Sequence, residues 1–134
     1  MNLLLDTDIA IWALNDDQNL SDKARALILD PDNTIYYSTI SVWEVMLKHE
    51  RRPNEIPFNE KDFSEGCREA GFVPLNLSDK HILGVHTLSR SECVKDHNDP
   101  FERLLLSQAK VEKMSFLTHD ELIPNYNEKC IISV

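Results

Sequence analysis

The chain has 134 residues, 42% hydrophobic and 28% charged, with a formal net charge of −9 and no Gly/Ser-rich or Pro-rich tract. That length buries roughly two-thirds of the unfolded surface in one domain spanning residues 1–134, so neither disulfides nor a structural metal is needed for folding. A disordered or low-complexity chain is excluded by the same composition.

The N-terminal apolar run of Leu3, Leu4 and Leu5 meets Asp6 at once. It is too short and too acidic for a signal peptide or a membrane span, so the expectation is a cytoplasmic protein with no membrane partner. Cys67, Cys93 and Cys130 form no CxxC pair and are odd in number, which reads as reduced, structural thiols. The net charge opposes a polyanion at long range. Two bound divalent cations would bring −9 to −5, however, and local basic residues can still guide a phosphate backbone, so composition leaves nucleic acid open as a partner.

Residues 2 to 6 (NLLLD) read as a buried parallel strand ending at a carboxylate, followed by a short helix over 8 to 14. Ser21 is a good N-cap for a helix over 21 to 29, which carries Ala24, Leu27 and Ile28 at helical spacing and stops at the turn DPDN. The β-branched and aromatic stretch TIYYS (34 to 38) predicts a second strand. A helix over 39 to 50 follows, with Val42, Val45 and Met46 on one face and Glu44 in its first or second turn. Pro53 and Pro57 mark a loop.

Residues 59 to 70 form a predicted amphipathic helix ending at Gly71, FVPLN (72 to 76) a short strand, and 78 to 88 a helix capped by Ser78. The strongest pattern is the helix from 99 to about 113, then SFLT (115 to 118) as a strand ending near Asp120, and CIISV as a last strand. Strands alternating with helices predict an α/β fold, a central, mostly parallel sheet of four to five strands with helices on both faces. Ligands of such sheets sit beyond the carboxyl ends of the strands at the switch in strand order, where Asp6, Glu44 and Asp120 can converge.

Asp99, Pro100 and Glu102 in NDPFERLLLSQA are an N-cap, N1 and N3 that start a helix as an aspartate capping box. The same geometry turns both carboxylates toward whatever lies beyond the helix end. Glu44 stands between Trp43 and Val45, where a lone buried carboxylate would cost several kcal/mol unless paired or metal-bound. Carboxylates about 4 Å apart repel by roughly 4 kcal/mol at an effective dielectric of about 20, so a converged cluster requires cations. All-oxygen donors favour Mg²⁺ or Mn²⁺, and the lack of HExxH or paired cysteines argues against zinc. His97 and His119 flank the acids without ligand spacing and read as exposed loop histidines.

These residues fall into four ordered blocks: LLLDTDIAIW (3 to 12), STISVWEVMLK (38 to 48), HNDPFERLLLSQA (97 to 109) and FLTHD (116 to 120). Over nearly its whole length the chain resembles the PIN domain, and within it the VapC-type toxins of bacterial toxin–antitoxin pairs. The resemblance implies a three-layer α/β/α fold and a divalent-metal-dependent endoribonuclease. Its acids map onto Asp6, Glu44, Asp99, Glu102 and Asp120, and its supporting hydroxyls onto Thr7, Ser38 and Thr118. Asp6 and Asp99 are then the primary metal ligands, with Glu44 and Asp120 as second ligands or water-positioning bases. Two positions depart from the pattern: Glu102 stands where Asp is frequent, leaving open a direct contact, a contact through water or a capping role, and Asp8 stands where His or Asn is common.

Lys48, Arg51, Arg52 and Arg103 are the basic residues near the expected site and are candidates for the RNA backbone, beside the alternative of solvated helix-end cations. By the same resemblance the partners are a cognate antitoxin that blocks the acidic pocket and a second copy of the chain, with the helices at 21–29 and 39–50 as candidate contacts. Two other readings remain at this point. LLLDTDIA also resembles the strand end of aspartate-nucleophile phosphatases, with Asp6 as nucleophile and Asp8 as acid, although no later GDxxxD-type segment follows. A non-catalytic binding module with a degenerate acidic site is the third.

Overall fold

The computed structural model describes residues 1–89, 99–121 and 123–134. Cys93 and His97 lie outside them; Cys67 and Cys130 are free thiols, the first buried and the second half-buried. Strand β1 (Asn2–Leu5) runs straight into α1 (Thr7–Leu14), and α2 (Asp22–Leu29) leads to β2 (Thr34–Ser38). Ser21 caps α2 by accepting from the Ala24 N–H at 3.1 Å, as its position before the apolar pattern predicts. Next come α3 (Thr39–Arg51), α4 (Glu60–Glu69) and β3 (Val73–Leu75). Gly71, at φ +85°, ends α4 in the left-handed conformation that a side chain would strain.

The helix expected over 78–88 is shorter than its pattern. It is α5 (Asp79–Leu83) followed by a 3-10 turn at Gly84–Thr87. The break has a packing cause: a Cβ on Gly84 would lie 2.7 Å from Ser107 Oγ and 2.9 Å from Val111 Cγ2, so the backbone here is pressed onto the next helix. That helix, α6 (Pro100–Glu112), precedes β4 (Ser115–Thr118) and β5 (Ile131–Ser133), with a 3-10 turn at Ile123–Asn125 between them that the apolar pattern did not signal.

The five strands form one sheet in the order β3-β2-β1-β4-β5, and every pairing is parallel. Pro74 sits in β3 at the sheet edge, where its missing N–H is tolerated. Alternation along the strands splits the core in two. Leu3, Leu5, Ile35, Tyr37 and Leu117 pack with α1, α2 and α4 residues such as Ile9, Ala24, Phe63 and Cys67. Leu4 and Phe116 pack on the other side with Leu105, Leu106 and Ala109 of α6. Helix α3 joins both layers through Val45 and Ile40. The result is the expected three-layer α/β/α architecture.

From β1 the chain steps outward to β2 and β3, then returns to place β4 on the other side of β1. The switch in strand order therefore falls between β1 and β4. Asp6 follows β1 directly and Asp120 lies two residues beyond β4, so both stand at the position where this class of sheet binds ligands.

Candidate metal centre

Asp6 is fixed by the sheet itself. Its N–H donates to Leu117 O at 2.9 Å, continuing the β1–β4 ladder, and the residue is only 6% exposed. Oδ1 accepts from the Thr7 N–H at 2.7 Å, capping α1. Oδ2 accepts from the Thr118 hydroxyl at 2.6 Å, and Thr118 Oγ1 in turn accepts from the Asp120 N–H at 3.1 Å. Burial pushes the Asp6 carboxyl up to about 7; the Thr118 and Thr7 hydrogen bonds oppose that rise, while the charges of Asp8 and Glu44 add to it.

The start of α6 carries the next two acids. Asp99 is the N-cap, Oδ1 accepting from the Phe101 and Glu102 N–H groups at 3.0 and 3.2 Å, with Pro100 in the first turn. The Glu102 carboxyl hydrogen-bonds that of Asp120 and is pushed up to about 10, first by burial and then by that bond and the charges of Asp6, Asp120 and Asp99. Two carboxyl groups in such contact hold a proton between them at neutral pH. This is where the departure from Asp to Glu places the longer side chain: beside Asp120.

Glu44 projects from α3 and is 6% exposed. Its Oε2 lies 3.0 Å from Lys48 Nζ one turn later, while Oε1 is buried without a hydrogen-bond partner among the described residues. Lys48 also reaches Asp8 Oδ1 at 3.5 Å. Burial opposes the Lys48 charge, but Glu44 and Asp8 more than offset it and hold the ammonium above its usual range.

The five predicted acids thus share one electrostatic neighbourhood, Asp6 feeling Glu44, and Glu102 feeling Asp6, Asp99 and Asp120. Among the described residues, no three acidic, histidine or cysteine side chains converge as a ready ligand set. Neighbouring carboxylates repel one another, and here Glu44 pairs with Lys48 while Glu102 hydrogen-bonds Asp120. The donors are oxygens only, which fits a hard divalent ion.

Of the three predicted hydroxyls, only that of Thr118 meets an acid among the described residues. The Ser38 hydroxyl accepts from the Ile40 N–H at 3.0 Å to cap α3 and donates to Gln108 Oε1 at 2.5 Å, tying α3 to α6. Thr7 Oγ1 pairs with Ser41 Oγ at 2.8 Å, tying α1 to α3. These two hold the helices that carry the acids rather than the acids themselves. Sequence reasoning missed Ser41 and Gln108, both fully buried; a polar residue inside an apolar helical pattern was the available signal.

Among the basic candidates, Lys48 is committed to Glu44 and Asp8. Arg51 and Arg52 are exposed and, with Asp8, Lys48, Glu55 and Ile56, line a groove next to the acids. Arg52 makes an exposed pair with Glu55 at 3.3 Å. Arg103 is half-buried, with Nε unpartnered among the described residues. His119 is exposed, as expected of a loop histidine, but its ring packs edge-on against Trp12 with centroids 5.3 Å apart.

The model of the PIN domain family matches residues 3–129. In fold the chain is similar to VapBC2 from Rickettsia felis, crystallised bound to a DNA fragment from its promoter, at a TM-score of 0.69 and 15% identity over 100% of this chain and 99% of that one. It is also similar to a toxin–antitoxin complex from Klebsiella pneumoniae, at a TM-score of 0.61 and 15% identity over 98% and 96% of the two chains. Comparison with curated protein sequences finds no match. Because the family match spans nearly the whole length, and the sheet order carries Asp6 and Asp120 to the switch point, the chain belongs to the PIN domain family.

Proposed function

We propose that this protein is a Mg²⁺- or Mn²⁺-dependent endoribonuclease, the VapC-type toxin of a toxin–antitoxin pair. The observation that carries the reading is a buried, only partly satisfied acidic pair at the switch point: Asp6, and a Glu44 whose charge it feels and whose Oε1 has no partner among the described residues. A buried carboxylate oxygen without a donor costs several kcal/mol, and a divalent cation is the partner that suits it. The PIN family match and the fold shared with toxin–antitoxin complexes support the same reading.

Asp6 and Asp99 would be the main cation ligands, with Glu44, Glu102 and Asp120 completing the acidic pocket. Held there, a divalent cation would supply polarisation of water and neutralisation of charge on the phosphorus oxygens during phosphodiester hydrolysis. Thr118 keeps Asp6 in place by donating to Oδ2, and its Oγ1 also accepts from the Asp120 N–H, which fixes the two strand ends together. Asp99 caps α6, whose first turn carries Glu102 into its hydrogen bond with Asp120. Arg51 and Arg52 would bind the RNA backbone along the adjoining groove, with Arg103 as a further contact. The expected partners are a cognate antitoxin that blocks the pocket and a second copy of the chain. No helix among the described residues is long and apolar enough to cross a membrane, and a cytoplasmic location fits an RNA substrate.

The test is cleavage of structured and unstructured RNA by the purified chain, with Mg²⁺ or Mn²⁺ and with EDTA, beside Asp99→Asn. Metal-dependent cutting that disappears in the variant is expected. A wild-type chain that leaves RNA intact but hydrolyses a phosphomonoester through Asp6 would turn the assignment to a phosphatase.

A further inference from the structure

Lys48 was expected among the residues for RNA, yet its surroundings point elsewhere. Its Nζ lies 3.0 Å from Glu44 Oε2 and 3.5 Å from Asp8 Oδ1, bridging α3 to α1. The two oxygens of Glu44 are treated differently: Oε2 has the ammonium, while Oε1 is buried and without a partner among the described residues. An ordinary buried ion pair satisfies its remaining lone pairs with further donors, and here one oxygen is left over, on a carboxylate whose charge Asp6 feels. We infer that Lys48 is a positioning residue for the metal centre: clamped between Asp8 and Glu44, it fixes Glu44 through Oε2 and reserves Oε1 for the cation.

The inference rests on the metal-dependent reading above. It also gives Asp8 a role, since an acid at that exposed position holds the far side of the ammonium. Phosphate contacts in the groove then fall to Arg51 and Arg52, because Lys48 is already committed.

The sign of one measurement separates this from the alternatives. Taking a positive charge away from an acidic pocket should, by electrostatics alone, tighten cation binding. If Lys48 only touched RNA, cation binding without RNA would not change. If it positions Glu44, Lys48→Met weakens Mn²⁺ binding, and partners that orient a ligand are worth about 10- to 100-fold. Calorimetric titration of the RNA-free chain with Mn²⁺ should therefore show a loss of about tenfold or more in Lys48→Met. Glu44→Gln combined with Lys48→Met should bind no worse than Glu44→Gln alone, since the lysine acts through that carboxylate.

A second readout uses the unaltered chain and so survives misfolding of the variant. Acylation of Lys48 by an amine-directed reagent, followed by mass spectrometry, should be no faster with Mn²⁺ bound than without it. Unchanged or tighter Mn²⁺ binding in Lys48→Met, or faster acylation of Lys48 once Mn²⁺ is bound, overturns the positioning role while leaving the metal-dependent reading intact. If neither the wild type nor the variant binds Mn²⁺, both fall.

Discussion

The two ends of α6 hold buried polar groups in opposite states. At its C-terminal end, buried His81 of α5 meets Glu112 Oε1 through Nε2 at 2.9 Å, while its Nδ1 faces the Ser78 N–H at 3.1 Å. Lys80 pairs with the same Glu112 oxygen at 2.8 Å, Ser107 donates to His81 O at 2.6 Å, and Gln108 is held by Ser38. Each charge there has an opposite or a donor, and the bonds from Lys80 and then His81 hold the Glu112 carboxyl below its usual range. At the N-terminal end, Glu102 and nearby Asp6 are pushed up to about 10 and about 7, and Glu44 keeps an oxygen without a partner among the described residues. One helix thus ends in a satisfied network and begins in a frustrated one. On the proposed reading, the contrast places folding stability at the first end and ligand affinity at the second.

That contrast can be broken from either side. The largest effect on stability is expected from His81→Ala, which removes a fully buried ring, leaves the Ser78 amide without its acceptor and leaves Glu112 with Lys80 alone. Chemical denaturation should show a loss of about 3 kcal/mol, with Mn²⁺ affinity of the folded fraction unchanged. Asp6→Asn should do the reverse. It removes a charge that the fold penalises, so the metal-free chain at pH 8 should melt no lower than the wild type, while the rise in melting temperature expected of the wild type with Mn²⁺ should be absent.

The pH dependence of the metal-free chain sharpens the same point. Asp6 has a folded pKa of about 7, above its ordinary 3.8, so the folded state favours its protonated form. The resulting contribution to stability is complete below 3.8 and is lost as pH rises toward about 7; Glu102, raised from 4.5 to about 10, extends the loss further upward. Thermal melts in EDTA should therefore fall between pH 5 and pH 8, and Mn²⁺ should remove most of that slope. Glu112 has the opposite sign: its depressed pKa gives a contribution present above 4.5 and lost as pH drops below it. The smallest effect should come from Lys80→Ala. Its ammonium side chain is 63% exposed, and exposed pairs contribute about 0 to 1 kcal/mol, so denaturation should shift by less than about 1 kcal/mol.

Much of the fold was legible from local patterns. Ser21 before an apolar period, Asp99-Pro100 before another, and β-branched or leucine runs ending at a carboxylate each act within a few residues, because caps and helical hydrogen bonds close over one turn. The helix over 78–88 was overestimated because the reason for its break, the contact of Gly84 with Ser107 and Val111, lies in another helix. In the site, the acids were legible as residue types at strand and helix ends, but the hydroxyls were only partly so. Thr7 and Ser38 resemble acid-supporting positions, yet their oxygens meet Ser41 and Gln108.

The sequence by itself determined the alternating elements, the two-faced pattern that buries Leu3 and Leu5 against one layer and Leu4 against the other, and a supply of carboxylates at element ends. Tertiary structure alone decided which of them meet. The order β3-β2-β1-β4-β5 sets Asp6 beside Thr118, 112 residues away, and α3 carries Glu44 and Lys48 back toward Asp8. The physical reason is range: capping and periodicity act over a few residues, whereas strand order follows from how two apolar faces are covered at once, and the charge of a buried carboxylate depends on every neighbour that this packing brings near.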